Sequence, residues 1–343
     1  MSKCVRCGGV LYFDPKRKSN VCESCGAADP VKYNYVFNKK DFDKAQQMES
    51  DPLAKELQTV KCKSCGANIL VNKQEMVSKC MYCGSETISA SSKKTMMYID
   101  SIVPFTFGKA DAVNKFKRAV ATRFYANKKV FKGVTSQDVT GLYVNTFVFD
   151  FNTNSHYNGT LSYQKSVKDS EGNTHYETVT KNVSGSLDKL FKNLTIEANP
   201  NLNQRELLQI MPFEYTSAVD FQQDFINGYV IEYQDKLFNE CVANAERVVK
   251  RELQREILNR YGCDTIVSLD IDTEYLDRKY NYCLLPVYMF NKEYKGQRYK
   301  ALMNGQSGKV GELPTDKLRV FLTILFAAVI VVGIIFLVIF LSK

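Results

Sequence analysis

Eight of the eleven cysteines fall into two copies of one spacing: Cys4, Cys7, Cys22 and Cys25, then Cys62, Cys65, Cys80 and Cys83. Each copy reads Cys-x2-Cys, fourteen intervening residues, then Cys-x2-Cys. A Cys-x2-Cys pair on a tight turn aims two sulfurs at one ion, and two such knuckles close a tetrahedron with Zn–S distances of about 2.3 Å. Four thiolates fill the coordination sphere, so the chemistry is structural and leaves no open position for a substrate. We therefore expect two Cys4 zinc ribbons, each holding one structural Zn2+. Iron in a rubredoxin-like setting also accepts tetrahedral sulfur, and ligand spacing does not separate the two metals.

A glycine follows the second cysteine of every knuckle: Cys7-Gly8, Cys25-Gly26, Cys65-Gly66 and Cys83-Gly84. Glycine tolerates positive φ, which lets each turn curl its N–H groups toward the sulfurs and spread their charge. Ribbons of roughly thirty residues bury too little apolar surface to offset chain entropy. Metal binding must supply their folding free energy, and the apo ribbons should be disordered.

Outside these sets the catalytic inventory is thin. His156 and His175 sit beside turn residues and read as exposed histidines of a strand end. Cys241, Cys263 and Cys283 have no spacing partner and read as buried structural thiols. The stretch Asn304 to Lys309 invites a phosphate-loop reading, but Met303 stands where the first glycine is needed and Val310 where Ser or Thr is needed. A turn between two strands is the simpler account. We expect no enzyme.

The elements that must position the cysteines follow from composition and periodicity. Ribbon one spans about residues 1–30, a charged connector 31–59, ribbon two 60–86, a flexible Ser- and Lys-rich linker 87–95, and a main domain 96–314. The connector is expected to carry one or two exposed helical turns interrupted at Pro52. In the main domain, Met97 to Val103 reads as a strand and Ala110 to Tyr125 as a helix. Gly141 to Phe151, Tyr157 to Val167 and His175 to Val183 alternate apolar and polar residues, separated by the turn signals Asn158-Gly159 and Glu171-Gly172-Asn173, an antiparallel meander. A helical stripe of Phe221, Phe225, Tyr229, Val230, Tyr233, Leu237, Cys241 and Ala245 predicts a long helix over 218–261, with Gly228 inside the pattern. Strands are expected at 265–271, 280–290, 298–303 and 309–312. Strands and helices are segregated, so the class is α+β, with a mixed antiparallel-sheet-plus-helix domain.

From Val320 to Leu341 the chain runs 22 residues without a charge. At about 1.5 Å per residue such a helix is about 33 Å long, enough to cross a bilayer core. It is expected to be a transmembrane tail anchor, because only Ser342 and Lys343 follow it. Met1 to Val10 is polar and already carries metal ligands, so no signal peptide is expected there. Lys317 and Arg319 precede the span against Lys343 beyond it, which with reduced thiols places the head in the cytoplasm of a single-pass membrane protein.

The chain carries a net charge of +9. Lys115, Lys117, Arg118, Arg123, Lys128, Lys129 and Lys132 crowd one region, and Lys16, Arg17 and Lys18 sit in ribbon one beside Tyr12 and Phe13. Such clusters suit anionic headgroups or a polyanion, although a solvated helix face is the plainer reading of the first.

The tandem ribbons KCVRCGG and KCKSCGANI, the segment IVPFTFGKADAVNKFK, the strand GLYVNTFVFDF, and the pair LLPVYMF and YKALMNGQSGKVGELP together resemble the bacterial TFIIB-type zinc-ribbon membrane proteins of the YdjG kind. Members are often labelled primosomal or helicase-like from the ribbons alone. Tyr288 departs from the tryptophan common at that place, and Val144-Asn145 from a proline-containing turn. The resemblance implies a non-catalytic adaptor in envelope stress, recruiting phage-shock-protein-A-like or SPFH-domain partners to the cytoplasmic membrane. The competing reading is a membrane-tethered nucleic-acid-binding ribbon protein, with Lys16, Arg17, Lys18 and the basic helix on phosphates.

Overall fold

The computed structural model describes residues 3–42, 57–64, 66, 68–72, 80, 85, 88–90, 98–199, 202–232 and 236–341. Ribbon one contributes β1 (Leu11–Asp14), β2 (Ser19–Cys22) and β3 (Ala28–Pro30), a separate three-stranded antiparallel sheet. β4 (Lys40–Asp41), β5 (Leu57–Cys62), β6 (Asn68–Asn72), β7 (Ile88–Ala90) and β8 (Ser101–Ile102) lead to α1 (Lys109–Thr122). Two long strands follow, β9 (Val139–Lys168) and β10 (Thr174–Glu197), then α2 (Gln204–Ile210), β11 (Val219–Asp220) and β12 (Val230–Glu232). α3 (Phe238–Tyr261), β13 (Thr265–Tyr294), β14 (Gln297–Asn304) and α4 (Lys317–Leu341) complete the chain. The class is α+β.

Among the described residues, eleven strands join one mixed sheet built on β9, with β13 antiparallel on one side and β10 antiparallel on the other. Period-two alternation divides its side chains between two cores. Tyr143, Phe147, Phe149 and Phe151 of β9 and Tyr280, Tyr282, Tyr288 and Phe290 of β13 face the first core. α1 covers it with Ala112, Val113, Phe116 and Val120, and α3 with Cys241, Ala245, Val249, Leu253 and Ile257. Phe116 stacks on Phe290 with ring centroids 3.8 Å apart. The opposite face takes Leu142, Val144 and Val148 with Cys283, Leu285 and Val287, closed by Leu207 and Ile210 of α2. This double covering explains why the buried parts of β9 and β13 read as nearly continuous apolar runs.

Several expectations give way to longer elements. The first two meander strands are one strand, and Asn158-Gly159 is not a turn. A Cβ on Gly159 would lie 2.8 Å from the Leu269 Cα of β13, at the point where the pairing register shifts between Ile266 and Ser268. Glycine is there for close backbone approach beside a bulge. The expected strands 265–271 and 280–290 likewise merge into β13. Only Val310 of the expected 309–312 strand pairs, as an isolated bridge to Met303. The turn between them is present, closed by the Gly308 N–H donating to the Asn304 carbonyl at 2.9 Å.

The long helix over 218–261 is corrected to α3 alone. Residues 218–232 hold two short strands and a turn of 3-10 helix instead, with Gly228 at φ +78° against Tyr12. The first described part of the connector, 31–42, is extended and fastened to the head, and its last residues, 57–59, begin β5. Tyr35 bridges Val219, β4 pairs with β13 at Lys279 and Tyr280, Phe37 stacks on Tyr215 at 4.9 Å, and Phe42 meets Phe238 at 5.2 Å. Pro52 lies outside the described residues. Ile88–Ala90, expected in a flexible linker, pairs with β5.

α4 is a 25-residue apolar helix, long and apolar enough to cross a membrane. Its side chains from Phe321 to Ile335 are almost all exposed, unlike those of a core helix of similar length.

Candidate metal centre

Ribbon one gathers its four cysteines by two copies of the same backbone turn. The Cys4 N–H donates to the Gly9 carbonyl and the Gly8 N–H to the Cys4 carbonyl, both at 2.8 Å. In the second knuckle the Cys22 N–H donates to Ala27 at 2.8 Å and the Gly26 N–H to Cys22 at 3.0 Å. Gly8 and Gly26 take φ of +72° and +70°, a conformation costly for other residues. The β1–β2 register pairs Leu11 with Cys22 and so brings the second knuckle beside the first.

The sulfurs converge accordingly. Cys4 Sγ lies 3.8 Å from Cys25 Sγ, Cys7 Sγ lies 3.4 Å from Cys22 Sγ, and all four fall within 4.8 Å of one another. A regular tetrahedron with ligand bonds of about 2.3 Å has edges of about 3.8 Å, so the set fits a zinc-sized ion. Cys4 and Cys22 are buried and Cys7 and Cys25 exposed, which places the centre at the rim of the ribbon. Gly9 also belongs to the site, although its role was invisible in the spacing: a Cβ there would sit 2.9 Å from the Cys22 sulfur.

Electrostatics calls for a cation. The Cys25 and Ser24 backbone N–H groups donate toward the Cys22 sulfur and bring its thiol down to about 6. Cys7 takes the Gly9 N–H, which favours the thiolate, yet the crowded Cys22 and Cys25 sulfurs hold it up to about 12. Four sulfurs this close cannot all ionise without a positive partner, and a divalent ion removes that conflict.

Ribbon one is seated on the head by groups that lie more than two hundred residues away in sequence. Phe13, 1% exposed, meets Phe225 edge-on at 5.3 Å, and Tyr33 meets the same ring at 5.1 Å. The Phe13 N–H donates to the Asn227 carbonyl at 2.9 Å. Asn20 donates to Asp224 at 2.7 Å and accepts from Asn227 at 3.1 Å.

Of the second set, Cys62 and Cys80 are described and Cys65 and Cys83 lie outside the described residues. Cys62 and Cys80 are both buried and belong to the core on the α2 face of the sheet. The Gly66 N–H donates to the Cys62 carbonyl at 2.9 Å with Gly66 at φ +76°, and the Cys80 N–H donates to the Ser85 carbonyl at 2.7 Å. These are the bonds of the ribbon-one knuckles, one at each turn. The described strands of the second set, however, belong to the central sheet: β6 pairs with β12, which pairs with β9.

The basic residues are largely engaged within the chain. Lys16 pairs with Asp111 of α1 at 2.8 Å, Arg17 approaches Asp14 at 3.6 Å, and the Lys18 ammonium lies 4.8 Å from the Tyr33 ring. Arg123 donates through its guanidinium to the Val310 and Gly311 carbonyls. Lys128 donates to the Ala121 carbonyl at 2.5 Å and the Lys115 ammonium lies 5.0 Å from the Phe107 ring, while both of them and Lys117, Arg118, Lys129 and Lys132 remain exposed.

His156 is exposed in the middle of β9, not at its end, and His175 lies 3.2 Å from Glu177 at the start of β10. Burial pushes the Cys241 and Cys283 thiols up to about 12, so neither supplies a thiolate nucleophile near neutral pH. Cys263 is buried as well.

The chain is similar to an uncharacterized protein of Bacillus subtilis strain 168, YdjG: 25% identical over 325 residues, covering 93% of this chain and 91% of that relative. No family model matches the chain, and no solved structure matches it.

Proposed function

We propose that this chain is a membrane-anchored zinc-ribbon adaptor: two structural Zn2+ ions fold its ribbons, α4 crosses the cytoplasmic membrane once, and the cytoplasmic head recruits protein partners to it. One observation carries this reading. A four-sulfur cluster of zinc dimensions is fastened by Phe13 and Asn20 to an α+β head whose chain continues into an exposed apolar helix. A rigid recognition surface and a tether are thus parts of one body. The knuckle bonds at Cys62 and Cys80 support a second ion held with Cys65 and Cys83.

Membership of the bacterial TFIIB-type zinc-ribbon membrane proteins is part of the proposal. An alignment over 93% of the chain cannot be confined to the ribbons, so the likeness to YdjG extends through the head. Partners of the phage-shock-protein-A-like or SPFH-domain kind follow from that resemblance. A non-enzymatic role fits two head thiols that burial holds in the neutral form and histidines that stand in solvent.

The nucleic-acid reading has less support at ribbon one, where Lys16 and Arg17 already face carboxylates of this chain and Lys18 lies by the Tyr33 ring. Affinity capture of the intact protein from detergent, with and without nuclease, tests the choice. A protein partner that survives nuclease, with about two zinc ions per chain by metal analysis, supports the adaptor. Retention of nucleic acid that disappears steeply with salt supports the rival.

A further inference from the structure

The basic stretch after α1 has a position that its sequence did not disclose. The Asn127 N–H donates to the Pro314 carbonyl at 2.7 Å, the Asp316 N–H donates to the Tyr125 carbonyl at 2.8 Å, and Ala126 bridges Thr315 between them. This short antiparallel staple ends where α4 begins. Arg319, in the first turn of α4, donates to the Phe124 carbonyl at 3.3 Å with its guanidinium 5.9 Å from the Phe124 ring. Phe124 and the α4 residues Leu322 and Phe326 line one apolar recess.

The exposed side chains of this loop form a pattern. Phe124 is 61% and Tyr125 44% exposed, their rings perpendicular at 5.0 Å. Farther along the same loop Val130, Phe131 and Val134 are buried in the first core. The loop is therefore anchored, and its two outward aromatics are held out by a fixed backbone. Between Asp111 and Asp138 the chain has seven cations and no acid. Six of those cations, Lys115, Lys117, Arg118, Lys128, Lys129 and Lys132, are exposed, with the Lys128 ammonium also donating to the Ala121 carbonyl at 2.5 Å.

We infer that residues 123–132 are a second membrane contact. Phe124 and Tyr125 enter the headgroup–acyl boundary beside the first turn of α4, and the exposed lysines rest on anionic headgroups. Aromatic side chains favour that depth, and cations next to a span are drawn to acidic lipid. The occupant is the bilayer surface itself, because the loop is hydrogen-bonded to the start of the apolar helix and lies level with its last cation. Two contacts instead of one fix the tilt of the head, which a single flexible tether would leave free. This inference rests on α4 spanning a membrane.

The chain contains no tryptophan, so Phe124→Trp and Tyr125→Trp each create a single fluorescent reporter. Tyr176→Trp, at a 71%-exposed site near the β9–β10 hairpin tip, is the reference. The full-length variants are placed in nanodiscs of phosphatidylcholine with or without phosphatidylglycerol, and quenching by brominated acyl chains and by iodide is read. Co-elution with the discs tests the span independently of the loop. In discs with phosphatidylglycerol we expect bromolipid quenching at 124 and 125 to be roughly threefold that at 176, with iodide quenching correspondingly weaker. Removing phosphatidylglycerol, or introducing K128E, K129E and K132E together, should reduce the difference. Disc-bound protein whose reporters at 124 and 125 are as open to iodide as that at 176 would overturn the loop contact while leaving the span intact. Strong bromolipid quenching indifferent to both the acidic lipid and the charge reversals would overturn the headgroup half.

Discussion

The two cysteine sets share one ligand spacing, and the segments that carry them are built into the molecule by different means. Ribbon one keeps its own three-stranded sheet and docks through Phe13 on Phe225, Asn20 on Asp224 and Asn227, and one backbone bond from Phe13 to Asn227. Ribbon two lends its strands to the central sheet through β6 and β12, and its Cys62 and Cys80 sit in a core shared with Leu142 and Leu285. A Cys4 pattern therefore specifies the knuckles and not their mounting. Loss of metal should be local in the first ribbon and should reach the head in the second.

The sharpest test compares Cys7→Ser with Cys62→Ser. Each should lower bound zinc from about two ions per chain to about one. Cys62→Ser should also lower the unfolding midpoint of the head, followed by tyrosine near-ultraviolet circular dichroism, whereas Cys7→Ser should move it little. Equal damage to the head from both substitutions would abolish the distinction. Phe13→Ala comes next: deleting a buried aromatic costs about 3–5 kcal/mol, which should appear as undocking of ribbon one with its zinc retained. Hydrogen exchange of β1 together with metal analysis separates this from loss of the ribbon's fold.

Asn20→Ala leaves Asp224 and the Asn227 side chain without their ribbon partner, an expected loss of about 1–3 kcal/mol in docking by the same exchange measurement. The smallest effect belongs to Lys16, whose pKa is raised by its hydrogen bond and attraction to Asp111. A raised lysine contributes fully below its unfolded value and loses that contribution as pH rises through the folded one. Any advantage of wild type over Lys16→Gln should thus persist at neutral pH and fade only above about 10.5. A difference that vanished in mildly acidic buffer would place the effect elsewhere.

The first cysteine set was legible because its geometry is local. Cys4 and Cys7, or Cys22 and Cys25, are joined by a single turn whose hydrogen bonds stay within six residues. The α+β class was legible from the order of elements, because strand-like and helix-like stretches fall in separate blocks of the chain. The aromatic stripe from Phe221 to Tyr229 misled. Its spacing imitates a helix, yet Phe225 is buried by Phe13 and Tyr33. Gly159 misled likewise, since next to Asn158 it looks like a turn and only the neighbouring strand shows why a side chain is excluded. In the connector, charge suggested solvent, while Phe37 and Phe42 found cores whose walls are distant in sequence.

The amino-acid order alone determined which sulfurs could share an ion in ribbon one and where an uncharged run of 22 residues would form a helix. Both depend on covalent spacing and on burial summed over neighbours in the chain. Only the tertiary structure decided that ribbon one sits on Phe225, that the connector is part of the head, and that Phe124 and Tyr125 stand at the foot of α4. Those placements depend on surfaces that complement one another across two hundred residues, and complementarity of that kind leaves no period in the sequence.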